Sequence, residues 1–207
     1  LRDLLRQNEV EQELAATDEI YLRRKSVARD QKAVIQDSLR RLEQTALTAT
    51  SSTPEEAQIR VKEAELIQDF VKRASLLEPD GVVVISRRGQ VSDLWLEDGD
   101  ELVIPQKSNV VMVTGEVVLP KAVAYENGMT LDDYLAAAGG VSARANEKQI
   151  LVAKQNGEVG LADSLGIEPG DRIIVLSKVD TKGMLIAKNI MQIIYQIAVA
   201  TKVAIDL

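Results

Sequence analysis

The densest group of ionisable side chains is Glu97-Asp98-Gly99-Asp100-Glu101, and carboxylates packed this closely invite a calcium reading. The spacing does not follow the EF-hand order, and the related run Glu168-Pro169-Gly170-Asp171 has lost two of the acids. A turn feeding a strand accounts for both stretches, with Gly99, Asp100, Gly170 and Asp171 as its structural residues. The chain has no histidine and no cysteine, so within it the usual proton shuttle, the commonest transition-metal ligand, a thiol nucleophile, a disulfide and a lipidated cysteine are all missing. Ser26, Ser86 and Ser142 therefore have no imidazole to activate them, and Lys25 beside Arg23 and Arg24 reads as a solvated strand end. Gly115, Gly139 and Gly140 are too far apart for a phosphate loop, and no two acids stand in the marked context that paired-carboxylate hydrolysis needs. These residues predict a protein that is not an enzyme and holds no cofactor and no metal.

The elements that must position them are best marked between Val110 and Gly140. An alternating run ends at Pro120, which lacks a ladder N–H, and Asn127-Gly128 offers a turn. Thr130 with Asp133 makes a capping-box start, Gly139-Gly140 a left-handed stop, and Leu131, Tyr134, Leu135 and Ala138 share one face of the short helix between them. Ile150–Ala153, the tight turn Gln155-Asn156-Gly157-Glu158 and a strand from Arg172 follow. A hairpin, a crossing helix and two further strands describe a β-grasp. With 207 residues, 45% hydrophobic and 3% aromatic, the chain can bury an aliphatic core in each of two domains, and a net charge of −7 argues against unspecific nucleic-acid binding.

The pattern occurs twice. Leu1-Arg-Asp-Leu-Leu5 mirrors Leu131-Asp-Asp-Tyr-Leu135; Val82–Ile85 with Gly89-Gln-Val91 is matched to Ile150–Ala153 with Gly157-Glu-Val159; and Leu96–Pro105 mirrors Ile167–Leu176. The offset is 130 at the first match and 71 at the last, so the first copy carries extra residues, which read as two helices: about Ser26 to Ala46, and a second opened by Thr53-Pro-Glu-Glu56 and stopped before Pro79. The expected fold is α+β: two tandem β-grasp, ubiquitin-like domains, residues 1–107 (incomplete at the N-terminus, with a helical hairpin insert at about 26–77) and 108–178. A linker and C-terminal amphipathic helix fill 179–207.

On that last helix, from Met184 to Ile205, Lys188, Gln192, Gln196 and Lys202 fall in one polar arc, and isoleucines cover the rest. About 33 Å of helix could span a membrane if copies formed a ring, polar arcs toward a wet lumen and apolar arcs toward lipid. The same residues also suit a soluble helix packed on its own domain or on a neighbouring subunit.

Taken together, Val113-Thr-Gly-Glu-Val with Pro120, Gly128 to Leu135, Ala138-Gly-Gly140 and Ile167-Glu-Pro-Gly-Asp-Arg-Ile-Ile-Val175 resemble the soluble-ligand-binding β-grasp (SLBB) domain. The closing Ile190–Ala200 and the helical insert resemble the C-terminal part of outer-membrane polysaccharide export proteins of capsule and exopolysaccharide systems. The resemblance implies a homo-oligomeric ring at the Gram-negative periplasm and outer membrane, polysaccharide passing through it, and an inner-membrane polymerisation and length-control partner. It carries over no ligand residue, and the family's lipidated cysteine would lie upstream of Leu1. The other reading is a soluble β-grasp sensor or adaptor that holds a small molecule.

Overall fold

The computed structural model describes residues 11, 13–48, 53–87, 89–178 and 184–201. Its α+β architecture is built on two main sheets joined by a layer of helices. The N-terminal sheet has three strands, β1 (Tyr21–Arg23), β2 (Val82–Val84) and β5 (Glu101–Val103), in the order β2-β1-β5. A small hairpin, β3 (Ser86–Arg87) and β4 (Gln90–Val91), sits beside it. The C-terminal sheet runs β7-β6-β10-β8-β9, from β6 (Val110–Gly115), β7 (Lys121–Ala124), β8 (Ala145–Ala153), β9 (Val159–Leu161) and β10 (Arg172–Ser177).

Two helices lie between β1 and β2: α1 (Lys25–Thr48) and α2 (Pro54–Ser75). The Thr53 hydroxyl caps α2 by accepting from Glu56 N, with Pro54 in the first turn and Glu55 and Glu56 at the positive end of the dipole. Arg24 N donates to Gly81 O at 2.9 Å, closing the base of the pair. In the C-terminal half the short helix α3 (Leu131–Ala137) has a complete capping box between Thr130 and Asp133, and its Tyr134 and Leu135 are buried on the sheet.

Alternation along β8 and β10 sorts side chains to two covered faces. Ile150, Val152, Ile173 and Val175 enter the core under α3, while Leu151, Ala153, Ile174 and Leu176 enter the core under the long helices. A strand buried on both sides reads as a continuous apolar run, which is why these segments lack polar alternation. The N-terminal sheet has only a small core around Ile20, Leu22 and Ile85. Parallel pairing of β6 and β10 brings Gly115 so close that a Cβ there would lie 2.1 Å from Val175 O; its φ of +85° also requires glycine.

The match of Val82–Ile85 to Ile150–Ala153 is corrected by the pairing. Arg23 faces Val82 and Glu101 across β1, and Ala153 faces Val159 and Arg172 across β8. The counterpart of Ile150–Ala153 is thus Ile20–Arg23, at offset 130, and Val82–Val84 corresponds to Val159–Leu161. The two long helices stand where the C-terminal half has the turn after Lys154. Leu1–Leu5 lies outside the described residues.

The last helix, α4, spans Met184–Thr201, and Lys202 and Ile205 also lie outside the described residues. Ile186, Ile190, Ile193, Ile194 and Ile197 are buried in a core shared with α1, α2 and the C-terminal sheet. The apolar arc expected to face lipid is therefore covered by the chain's own helices and sheet. Among the described residues, no helix is long and apolar enough to cross a membrane.

Candidate functional site

Each main sheet ends in the same hydrogen-bonded clasp. In the N-terminal sheet, Arg24 follows β1 and reaches the loop before β5: its guanidinium donates to Asp100 at 2.7 and 3.0 Å and to the Trp95 carbonyl at 2.9 Å, and pairs with Glu97 at 2.9 Å. Glu97 N closes the loop on Asp100 at 2.8 Å. In the C-terminal sheet, Lys154 follows β8 and reaches the loop before β10. Its ammonium donates to Asp171 and Glu168, each at 2.8 Å, and to the Gly166 carbonyl at 2.7 Å, and Glu168 N donates to Asp171 at 2.7 Å. Arg24 corresponds to Lys154, Trp95 to Gly166, Glu97 to Glu168 and Asp100 to Asp171. Gly170 turns the second loop at φ +90°, and a Cβ there would lie 1.5 Å from the Gln155 amide nitrogen.

Of the acids that invited a metal reading, Glu97 and Asp100 in the first loop and Glu168 and Asp171 in the second are thus occupied by protein cations. Among the described residues no group of His, Cys, Asp and Glu could hold a metal ion. The Arg24 bond, against the opposing effect of burial, holds the Asp100 carboxyl below the ordinary aspartate range. Burial pulls Lys154 down, but its bonds to Asp171 and Glu168 prevail and leave it above the ordinary lysine value. Burial also raises Asp171, against the bonds it receives; the short contacts from Lys154 and from Glu168 N keep the proton on the lysine.

A cleft of about 770 Å³ separates the halves beside the second clasp, with Thr17, Glu19, Lys154, Asn156 and Glu168 in its walls. Glu19 accepts from Asn156 N at 3.0 Å, and the buried Asn156 amide donates to Ser86 O at 3.0 Å, tying the small hairpin to the C-terminal sheet. Burial raises the Glu19 carboxyl above its usual value, helped by the nearby charges of Glu168 and Asp171 and opposed by the bond from Asn156 N and by the Lys154 charge. The cleft walls hold an ion-paired lysine and carboxylates, and they can offer hydrogen bonds to a polar ligand.

The residues singled out in the sequence do not converge on one site. Asp100 and Asp171 anchor the two clasps, and Gly99 and Gly170 turn their loops. Gly115 lies at the β6–β10 contact, Pro120 precedes β7, and Gly139 and Gly140 end α3, their N–H groups donating to Ala136 O and Leu135 O. On α4, Lys188 and Gln192 are exposed and Gln196 is half-buried. Sequence reasoning missed Lys154 and Asn156, and its reading of Arg24 as part of a solvated strand end is corrected: that side chain is 15% exposed and bonded to Asp100, Glu97 and the Trp95 carbonyl. The signal was present: Arg24 and Lys154 follow the apolar runs at Ile20–Leu22 and Ile150–Ala153 at the offset of 130 that already joined Leu1 to Leu131.

Residues 110–161 match the SLBB domain. Two proteins called polysialic acid transport protein KpsD, from Escherichia coli, are each 41% identical to the chain over 189 residues, covering 91% of this chain and 34% of theirs. The chain therefore spans about a third of the length of these relatives.

Proposed function

We propose, from the premise that the chain belongs to the SLBB-bearing capsule polysaccharide export family, that it is a segment of an export channel with no catalytic role. The observation that carries this reading is the extent of the likeness: 189 residues, 91% of the chain, align at 41% identity. We read the two halves as tandem β-grasp repeats, residues 1–107 and 108–178, the first split by α1 and α2; the shared strand register and the shared clasp support this. Copies of the protein form a ring in the periplasm and at the outer membrane, polysaccharide passes through it, and inner-membrane polymerisation machinery feeds it. The segment at 179–207 contributes Lys188, Gln192 and Lys202 to the polymer path, while Gln196, whose side-chain oxygen is shielded, lines the groove beside α1 instead. With the apolar arc of α4 covered, the stripe through Lys188 and Gln192 is the face left free for that role.

The test is export itself. Removing the protein should leave capsule polymer inside the cell, and the longer protein that contains this chain should fractionate with the outer membrane as an oligomer. Normal surface polymer in its absence, or a monomer in the soluble fraction, would sink the reading. The cleft of about 770 Å³ favours a second reading, a monomeric adaptor that holds a small polar ligand between its halves. Saturable binding of such a ligand to the monomer, lost in Asn156→Ala, would support it.

A further inference from the structure

Trp95, the only tryptophan of the chain, is 94% exposed although its carbonyl is held by Arg24 and Glu97 N, two residues on, is tied to Asp100 in the first clasp. The matching position in the second clasp is Gly166, whose carbonyl takes the same bond, so the clasp itself needs no side chain there. A large indole on a pinned loop loses little conformational freedom when it is covered, which is what makes tryptophan a frequent anchor of protein contacts.

The same chain carries a matching hole. A groove of about 360 Å³ runs between α1 and α4, walled mainly by Val27, Val34, Ile35, Tyr195 and Val199. Val34 and Tyr195 remain 55% and 38% exposed in it. Gln31 and Gln196 also line it, and the side-chain oxygen of each is shielded from water with no hydrogen-bond partner, so a small rotation toward an indole N–H would satisfy either one.

We infer that Trp95 of one copy inserts into the α1–α4 groove of the next copy, so that the knob and the hole of each chain serve different neighbours. A contact of that kind is head-to-tail and closes a ring when its rotation permits. The inference rests on the ring reading above and adds the residues that join the subunits. An anionic glycan is a poorer occupant for the indole, because Glu97 and Asp98 follow it closely.

The chain has no cysteine and one tryptophan, which makes the test direct. Leu96→Cys chains, which keep Trp95, mixed with Val34→Cys chains should give a heterodimer with a short bis-maleimide, and neither variant alone should. Wild-type tryptophan emission should shift to the blue as concentration rises, and Trp95→Ala should weaken self-association at least about thirtyfold while thermal unfolding stays unchanged. An oligomer that forms with emission unmoved and no mixed cross-link overturns the contact and leaves the ring reading standing. Leu96→Cys cross-linking to itself, or a blue shift produced only by added oligosaccharide, also overturns it. A chain that stays monomeric at every concentration overturns the contact, and the ring reading falls with it only if the longer protein is monomeric too.

Discussion

The two clasps share one hydrogen-bond scheme but sit in opposite surroundings. Around Lys154 the strands belong to a five-stranded sheet covered on both faces, and Asp171 is 2% exposed. Around Arg24 the sheet has three strands over a small core, and the loop ends in an exposed tryptophan. The cation follows the setting. Arginine, charged at any accessible pH and able to bond two oxygens at once, suits the wetter position, while a lysine point charge fits between three oxygens in the closed one. One loop has thus been kept as an internal fastener in one half and turned outward in the other. The helices between β1 and β2 also roof the C-terminal sheet, so the halves are coupled through α1, α2 and α4.

That coupling gives the largest expected effect. Leu42 of α1 and Ile193 of α4 wall a common recess, and each is almost fully buried. Leu42→Asp and Ile193→Asp should each cost more than about 4 kcal/mol, measured by denaturant unfolding, because a charge is placed in a closed apolar layer. Gln192→Asp should stay close to wild type. Tolerance of Leu42→Asp beside intolerance of Ile193→Asp would mean that α4 buries its apolar arc against something other than α1.

The next effect separates the clasps themselves. Asp171→Ala removes the buried partner of Lys154, leaving it only the exposed Glu168 and the Gly166 carbonyl, and should cost about 3 kcal/mol. Asp100→Ala leaves Arg24 at a more open site and should cost clearly less; equal losses would show that the difference in surroundings has no energetic weight. Asp100 adds a sign that pH can read. Its carboxyl is held low in the folded state, so its contribution is present above the ordinary aspartate pKa and is lost as pH falls through the depressed value. The deficit of Asp100→Asn should accordingly be seen at neutral pH and vanish in acid.

What the sequence made legible was local. The capping box at Thr130, the helix stop at Gly139-Gly140 and the cap at Thr53 depend on residues within a few positions of one another, and the chain carries those signals openly. Strand register was not legible in the first half, because β1 is three residues long and its partner β2 comes only after two helices. Val82–Val84 resembles Ile150–Ala153 in composition, but composition does not say which strand is the neighbour. The covering of α4 was hidden for the same reason: its partners on α1 lie more than a hundred residues earlier. Trp95 drew no attention in the sequence, since its exposure is a property of the folded loop.

The smallest effect tests the joint between the halves. Glu19 reaches across to Asn156 N, close enough to the second clasp to feel Glu168, Asp171 and Lys154. Its carboxyl is raised chiefly by burial, so the folded state favours the protonated form. Stability from this group is greatest below the ordinary glutamate pKa and declines as pH rises from there through the raised folded value, opposite to Asp100. Glu19→Gln keeps an acceptor for Asn156 N and removes the charge. It should match the wild type in acid and then gain on it as pH rises, by no more than about 1 kcal/mol because the site is partly open to screening water. Unfolding midpoints of both proteins across that pH range decide the point. A variant less stable than wild type at neutral pH would mean that the charge-assisted bond to Asn156 outweighs burial, and that the joint is held by an ionised Glu19.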